Sequence, residues 1–180
     1  MPRNSVRTTS GPKRVIRRTT PRCVRRARMV FRTDSASTSS DGVNVVGIKE
    51  SGGNPDRVSQ LRAAMGVNFT ILSGDDSMTL PFMAVGANGV ISVASNVIPK
   101  EVSQMVKLFS TGKAAAALRL HEKFYPLFKD LFIETNPTPV KAALAMMKLI
   151  EEEYRLPLVP MNPKNWDALR TTLKRCDVLE

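Results

Sequence analysis

Histidine and cysteine are scarce in this sequence of 180 residues, which has one His and two Cys. Cys23 and Cys176 lie far apart with no C-x-x-C spacing, and no signal-peptide apolar stretch is present. A disulfide framework is therefore not expected, and a reducing compartment is. His121 has no nucleophilic residue near it in sequence, so its expected role is packing or hydrogen bonding at a partly exposed position. No apolar run approaches the roughly 20 residues that span a bilayer, which makes a soluble, cytoplasmic protein with no membrane contact the expectation. No G-x-G-x-x-G or Walker-type loop follows an apolar stretch, which argues against nucleotide binding. Neither a metal nor another cofactor is expected.

Charge is unevenly spread. Of the formal net charge of +11, residues 1–42 carry eleven Arg and Lys against two Asp, and residues 43–180 are close to neutral. The first segment is built from Arg, Ser, Thr and Pro, and its apolar residues show no period. It cannot offset its own ordering entropy and is expected to be a disordered basic segment. Three readings of it stand: an arm binding nucleic acid or an anionic surface by counterion release, an organelle transit peptide, or a stretch translated out of frame. Phe31 is its only aromatic residue, so no base-stacking platform accompanies the charge and nucleic acid is not the expected partner. On the transit-peptide reading the location would be an organelle.

From Val43 onward the pattern changes. Val43 to Glu50, Phe69 to Ser73 and Gly89 to Val93 read as buried strands, each closed by Gly, Asp, Asn or Pro. Helical spacing follows each one: Val58, Leu61, Arg62 and Met65 up to Gly66, with Asp56 as N-cap; Met78, Phe82, Met83 and Val85 up to Gly86; then Val102, Met105, Val106 and Phe109. Three strand–helix units of about twenty residues predict a parallel sheet, either doubly wound or a (β/α) barrel. Residues 43–112 form this part. Residues 113–180 hold no strand-like stretch and are expected to be helical. A helix from Lys113 to Phe132 contains Pro126, and one from Val140 to about Glu153 has Ala143, Leu144, Met147 and Ile150 inward. The last helix includes Trp166, Leu169, Leu173 and Cys176.

In such folds ligands sit beyond the carboxyl ends of the strands. Those ends supply Lys49 and Glu50, then Ser73-Gly74-Asp75-Asp76, then Ser92 to Asn96. A lysine at the end of a buried strand has two readings. It snorkels and keeps its charge in water, or it is desolvated and serves as an amine nucleophile toward a carbonyl. N-capping of the following helix is the expected main role of at least one of Asp75 and Asp76. Turn formation and ligand contact stay equally open for Asn96.

Five motifs taken in order resemble one family: Val45-Val46-Gly47-Ile48-Lys49-Glu50, Leu72-Ser73-Gly74-Asp75-Asp76, Gly89 to Val97, Asn136-Pro137-Thr138-Pro139-Val140-Lys141, and Leu156-Pro157-Leu158. The family is that of the dihydrodipicolinate synthases, within the N-acetylneuraminate lyase superfamily of Schiff-base aldolases, and the resemblance covers its C-terminal half. It implies an α/β fold in which the three strands are the sixth, seventh and eighth of a (β/α)8 barrel, followed by a C-terminal helical domain. It also implies that Lys49 forms a Schiff base with pyruvate, that the backbone carbonyl of Ile91 faces the substrate, and that Gly74 and Asp75 lie in the site-proximal loop. The intact enzymes use pyruvate and aspartate semialdehyde, in diaminopimelate and lysine biosynthesis, and form a homo-oligomer, a tetramer built from dimers. A neuraminate lyase or a keto-deoxy sugar acid aldolase of the same superfamily would share the lysine.

The family's Gly-Gly-Thr-Thr-Gly-Glu loop and its Tyr-x-x-Pro-x-Arg-Thr-Gly segment are absent from the sequence. They supply the tyrosine–threonine proton relay, the carboxylate contacts and the arginine that selects the aldehyde. Tyr125 and Tyr154 lie in the helical remainder and do not replace them. A complete barrel takes on the order of 250 residues. The resemblance therefore implies a chain that is inactive, or nearly so, by itself.

Overall fold

A computed structural model describes residues 29–32 and 45–180 of the protein. In chain order the elements are β1 (Met29–Arg32), β2 (Val45–Glu50), α1 (Pro55–Met65), β3 (Thr70–Ser73), α2 (Thr79–Ala84), β4 (Gly89–Val90), α3 (Pro99–Ser110), α4 (Ala114–Asp130), α5 (Thr138–Met146) and α6 (Pro163–Arg175). The sheet runs β1-β2-β3-β4, with β2, β3 and β4 parallel. This is the expected α/β class: three strand–helix units of a partial (β/α)8 barrel followed by a helical region.

Register places the strand ends level. Lys49 lies beside Leu72, Glu50 beside Ser73, and Ser73 beside Val90. Gly47 allows the close approach of β2 to β3. A Cβ there would sit 2.8 Å from the carbonyl oxygen of Thr70 and 2.9 Å from its Cβ, so any side chain would push the strands apart. Ile48, Ile71, Val58, Leu61 and Phe82 form the core between the sheet and α1 and α2. Each such side chain, fully buried, contributes roughly 1.5–3 kcal/mol. A larger core links α3 to α4, α5 and α6 through residues such as Met105, Phe124, Leu127, Ala143 and Leu169.

Several elements differ from the sequence-based expectation. The N-cap of α1 is Asn54, not Asp56: the Asn54 side chain accepts from the Asp56 N–H at 3.0 Å, and Pro55 opens the helix. Only Gly89 and Val90 of the third strand join the ladder, because the chain curls at Ser92 into a single 3-10 turn, Ala94–Asn96. The helix expected to reach Glu153 stops at Met146. Lys148 adopts φ 59°, and the Leu149 N–H returns to the Leu144 carbonyl at 3.0 Å, a left-handed closure. Extending the helix would set Glu151, Glu152 and Glu153 against the negative end of its dipole. Leu149 and Ile150 are left exposed. α4 runs through Pro126 without interruption.

The basic segment was expected to hold no regular element, yet residues 29–32 pair antiparallel with β2, opposite residues 45–49. Met29-Val30-Phe31-Arg32 is the most apolar quartet of that segment, and the edge of β2 would otherwise be open. The remaining expectations for residues 1–42, and Cys23 with them, lie outside the described residues.

One contact set invisible in the sequence closes the amino-terminal ends of the strands. The Arg62 guanidinium donates to the carbonyls of Gly66, Val67, Phe69 and Gly86 and to Asn88 Oδ1. Asn88 Oδ1 also accepts from the Ile71 N–H at 3.0 Å. Arg62→Ala is expected to destabilise the chain by about 2–4 kcal/mol, since hydrogen bonds to charged donors are worth roughly 1.5–3 kcal/mol each and their carbonyl partners would be stranded. Arg62→Lys should recover less than half, because an ammonium cannot span the same acceptors. Urea unfolding of the three chains measures this; equal midpoints would disprove the role.

Candidate active site

Three loops meet beyond the carboxyl ends of β2, β3 and β4. Alternation along β2 sends Ile48 and Glu50 toward the helices, and both are buried. Gly47 and Lys49 therefore face the other side of the sheet. Glu50 is tied down: its Oε2 pairs with Arg57 Nε at 2.6 Å, and its Oε1 accepts from the Gly52 N–H at 2.7 Å. The end of β2 is thus anchored at the residue next to Lys49.

Lys49 is half-buried. Among the described residues its ammonium has neither a carboxylate partner nor a hydrogen bond. Its neighbour is Gly74, at the end of β3. A Cβ built on Gly74 would lie 1.9 Å from Ser51 Oγ and 2.8 Å from Lys49 Cε, so the lysine chain and the serine hydroxyl both fill the space that a side chain would need. The Gly74 N–H donates to the Glu50 carbonyl at 2.7 Å, which fixes this approach. A larger residue here would displace the serine hydroxyl and the lysine chain from this space.

Asp75 and Asp76 do not cap the helix that follows. Met78 at the start of α2 has no side-chain cap. Asp75 Oδ1 instead accepts from both the N–H and the hydroxyl of Ser77, each at 2.9 Å, closing a turn within the loop. Asp76 reaches into the next unit, where its Oδ2 accepts from the N–H groups of Val93 and Ala94 at 3.1 and 3.0 Å. It thereby caps the 3-10 turn, whose free N–H groups are the donors nearest to its buried carboxylate. Ile91 lies just before that turn; its N–H donates to the Ser73 carbonyl at 2.8 Å. Among the described residues no donor reaches the Ile91 carbonyl. Asn96 donates from Nδ2 to the Val93 carbonyl at 2.9 Å, which is a turn-forming contact.

The loops therefore bring Lys49 and Gly74 into contact and attach Asp75 and Ile91 through Ser73. Ser51 was not singled out in the sequence, although a position two residues after Lys49 carries the alternation signal that could have found it. His121 lies far away in sequence on α4, against the rings of Tyr125 and Phe128. Burial lowers its pKa. A cleft of about 320 Å³ runs along the outer edge of β4, between Leu72 and Gly89 on the sheet and Val102 and Val106 on α3. No described helix is long and apolar enough to cross a membrane.

Loops gathered beyond the carboxyl ends of parallel barrel strands are where (β/α)8 enzymes carry their active sites. The sequence profile of the Dihydrodipicolinate synthetase family matches residues 34–176, and the chain belongs to that family. The match begins ahead of Val43, where the sequence pattern changes. The 4-hydroxy-tetrahydrodipicolinate synthase of a Sulfurihydrogenibium species is 51% identical over 141 residues, 78% of this chain and 48% of that protein. The solved synthase of Methylacidiphilum fumariolicum is 58% identical with a TM-score of 0.72, over 73% of this chain and 44% of that one. The dihydrodipicolinate synthase of Acinetobacter baumannii, solved in complex with pyruvate, is 37% identical with a TM-score of 0.73, over 76% of this chain and 47% of that one. The chain thus spans about half the length of the relatives it matches, and corresponds to their C-terminal half.

The buried Asp76 gives a pH test of the site's loop. Burial raises its pKa, against the lowering effect of the hydrogen bonds from Ser92, Ala94 and Val93. The folded chain thus holds this proton at a pH where the unfolded chain has released it. Stability should fall as pH rises from about 3.8 through the folded-state value, and level off above it. Asp76→Asn, which keeps an acceptor for both N–H groups, is expected to flatten that acid-side slope in urea unfolding between pH 4 and 7. An unchanged slope would remove Asp76 as its source.

Proposed function

We propose that Lys49 is a Schiff-base nucleophile for pyruvate, in a site built to add the resulting enamine to aspartate semialdehyde. The observation that carries this is Lys49 packed against Gly74 beyond the strand ends, with no partner for its ammonium among the described residues. The pyruvate-bound relative, similar over the same half, supports the choice of keto acid.

The chemistry follows from the amine. Condensation of the ammonium with the ketone gives an iminium and one water. The iminium withdraws electrons from the former ketone carbon, so a methyl proton leaves and an enamine forms. The enamine carbon then attacks the aldehyde carbon of the second substrate. The amine itself supplies the electron sink, so this route calls for no cofactor. Gly74 and Asp75 would border the substrate, and the free carbonyl of Ile91 would accept a hydrogen bond from it. The proposed setting is the cytoplasm, and the proposed assembly in the intact enzyme is a homo-oligomer.

Positioned acid–base groups contribute roughly 10²–10⁴ in rate. The motifs that hold the family's relay are absent from the 180 residues, so the chain alone is proposed to bind pyruvate covalently but to turn over poorly. Borohydride reduction with pyruvate should add one reduced pyruvyl group to the wild-type chain and none to Lys49→Ala. Condensation with aspartate semialdehyde should run at least about 100-fold below a full-length relative. Labelling that persists in Lys49→Ala would overturn the nucleophile, and turnover at the relative's rate would overturn the need for the missing groups.

A further inference from the structure

We propose that the Ser51 hydroxyl is a catalytic group of the condensation step, shuttling a proton between Lys49 Nζ and the pyruvate ketone oxygen; this rests on the Schiff-base reading of Lys49. The hydroxyl and the Lys49 side chain converge on one point, the space above Gly74, with Ser51 Oγ 1.9 Å and Lys49 Cε 2.8 Å from the position a Cβ would take there. Other hydroxyls at the strand ends are committed. Ser73 donates to the Asp75 carbonyl at 2.7 Å, Ser77 to Asp75 Oδ1 at 2.9 Å, Thr79 to the Asp76 carbonyl at 2.8 Å, and Ser95 to the Ser92 carbonyl at 3.1 Å. Ser92 Oγ accepts from the Ser95 N–H at 2.7 Å and helps to hold Asp76. The Ser51 hydroxyl has no hydrogen-bond partner among the described residues. It is half-buried, so a substrate can reach it, and its position two residues beyond Lys49 puts it on the lysine's side of the sheet. Among the described residues, Ser51 is the hydroxyl that shares the space over Gly74 with the Lys49 side chain.

The step balances. The ammonium lends one proton to solvent, and the nitrogen lone pair forms the C–N bond as the C=O π pair moves to oxygen. Ser51 gives its proton to that oxygen and takes one from the nitrogen, so a neutral carbinolamine forms and the hydroxyl is restored. The nitrogen lone pair then forms the C=N bond while the C–O bond breaks. The oxygen departs as water with the proton returned from solvent. Ammonium plus ketone becomes iminium plus water, and the charge is unchanged. Because the iminium no longer carries that oxygen, Ser51 affects the barrier and leaves the equilibrium alone.

The test uses the full 180-residue chain, mixed with pyruvate and quenched with borohydride over a time course, with the adduct read by intact mass. Ser51→Ala is expected to slow adduct formation by about tenfold or more, with the plateau and the thermal midpoint unchanged. An unchanged rate would overturn the proposal, as would a lower plateau or midpoint, which marks a packing role. If the wild-type chain forms no adduct, the Schiff-base reading fails first and this inference falls with it. A wild-type adduct with no effect of Ser51→Ala refutes the serine alone.

Discussion

The site depends on how closely the end of β3 approaches the end of β2. Gly47 lets the two strands pack with no Cβ between them, and Gly74 continues that contact past the last ladder pair. The buried Glu50, held by Arg57 and by the Gly52 N–H, stiffens the intervening turn. Lys49 is consequently presented by a backbone fixed on both sides, with its long chain lying over the glycine. Fixing a flexible lysine stem costs up to about 2 kcal/mol of rotamer entropy, which the packing must offset before substrate arrives. That pre-ordering is what a site needs if a single amine is to meet a small keto acid in one orientation.

Asp76 extends the same logic to the neighbouring unit. Its carboxylate is nearly inaccessible to solvent, and it spends one oxygen on the two N–H groups that begin the turn after Ile91. The β3 loop thus sets the shape of the β4 loop, and the Ile91 carbonyl is held without being consumed. The other oxygen, Oδ1, has no partner among the described residues, and burial of the carboxyl group holds its pKa up. Three units of the barrel, with β4 at the edge of the sheet among the described residues, can still present this loop cluster, because the contacts that shape it lie within them.

Local chemistry explains what was legible in the sequence. The Val-Val-Gly-Ile run reads as a strand because nothing in it has helical spacing. α3 and α6 read as helices because their apolar residues recur at three and four. Lys49, Gly74, Asp75 and Ile91 could be named from strand ends and family motifs, and the structure puts all four at one end of the sheet. Contacts across long separations were not legible. Arg62 meets Gly86 and Asn88, 24 and 26 positions on, and no local pattern marks an arginine for that use. The early end of α5 is not legible because Leu149 and Ile150 continue its apolar period, whereas the dipole and the three glutamates that follow oppose it. Proximity in sequence points at least one of Asp75 and Asp76 to the nearest helix as its cap, but donors in space decide the roles of both.

The most direct test of the central claim is the structure of the chain after reaction with pyruvate and borohydride. A covalent bond from Lys49 Nζ to the former ketone carbon, with the pyruvyl group lying over Gly74 and beside the Ser51 hydroxyl, is the expected result. A free Lys49 amine, or the adduct on another lysine, would contradict the assignment of this strand end as the active site.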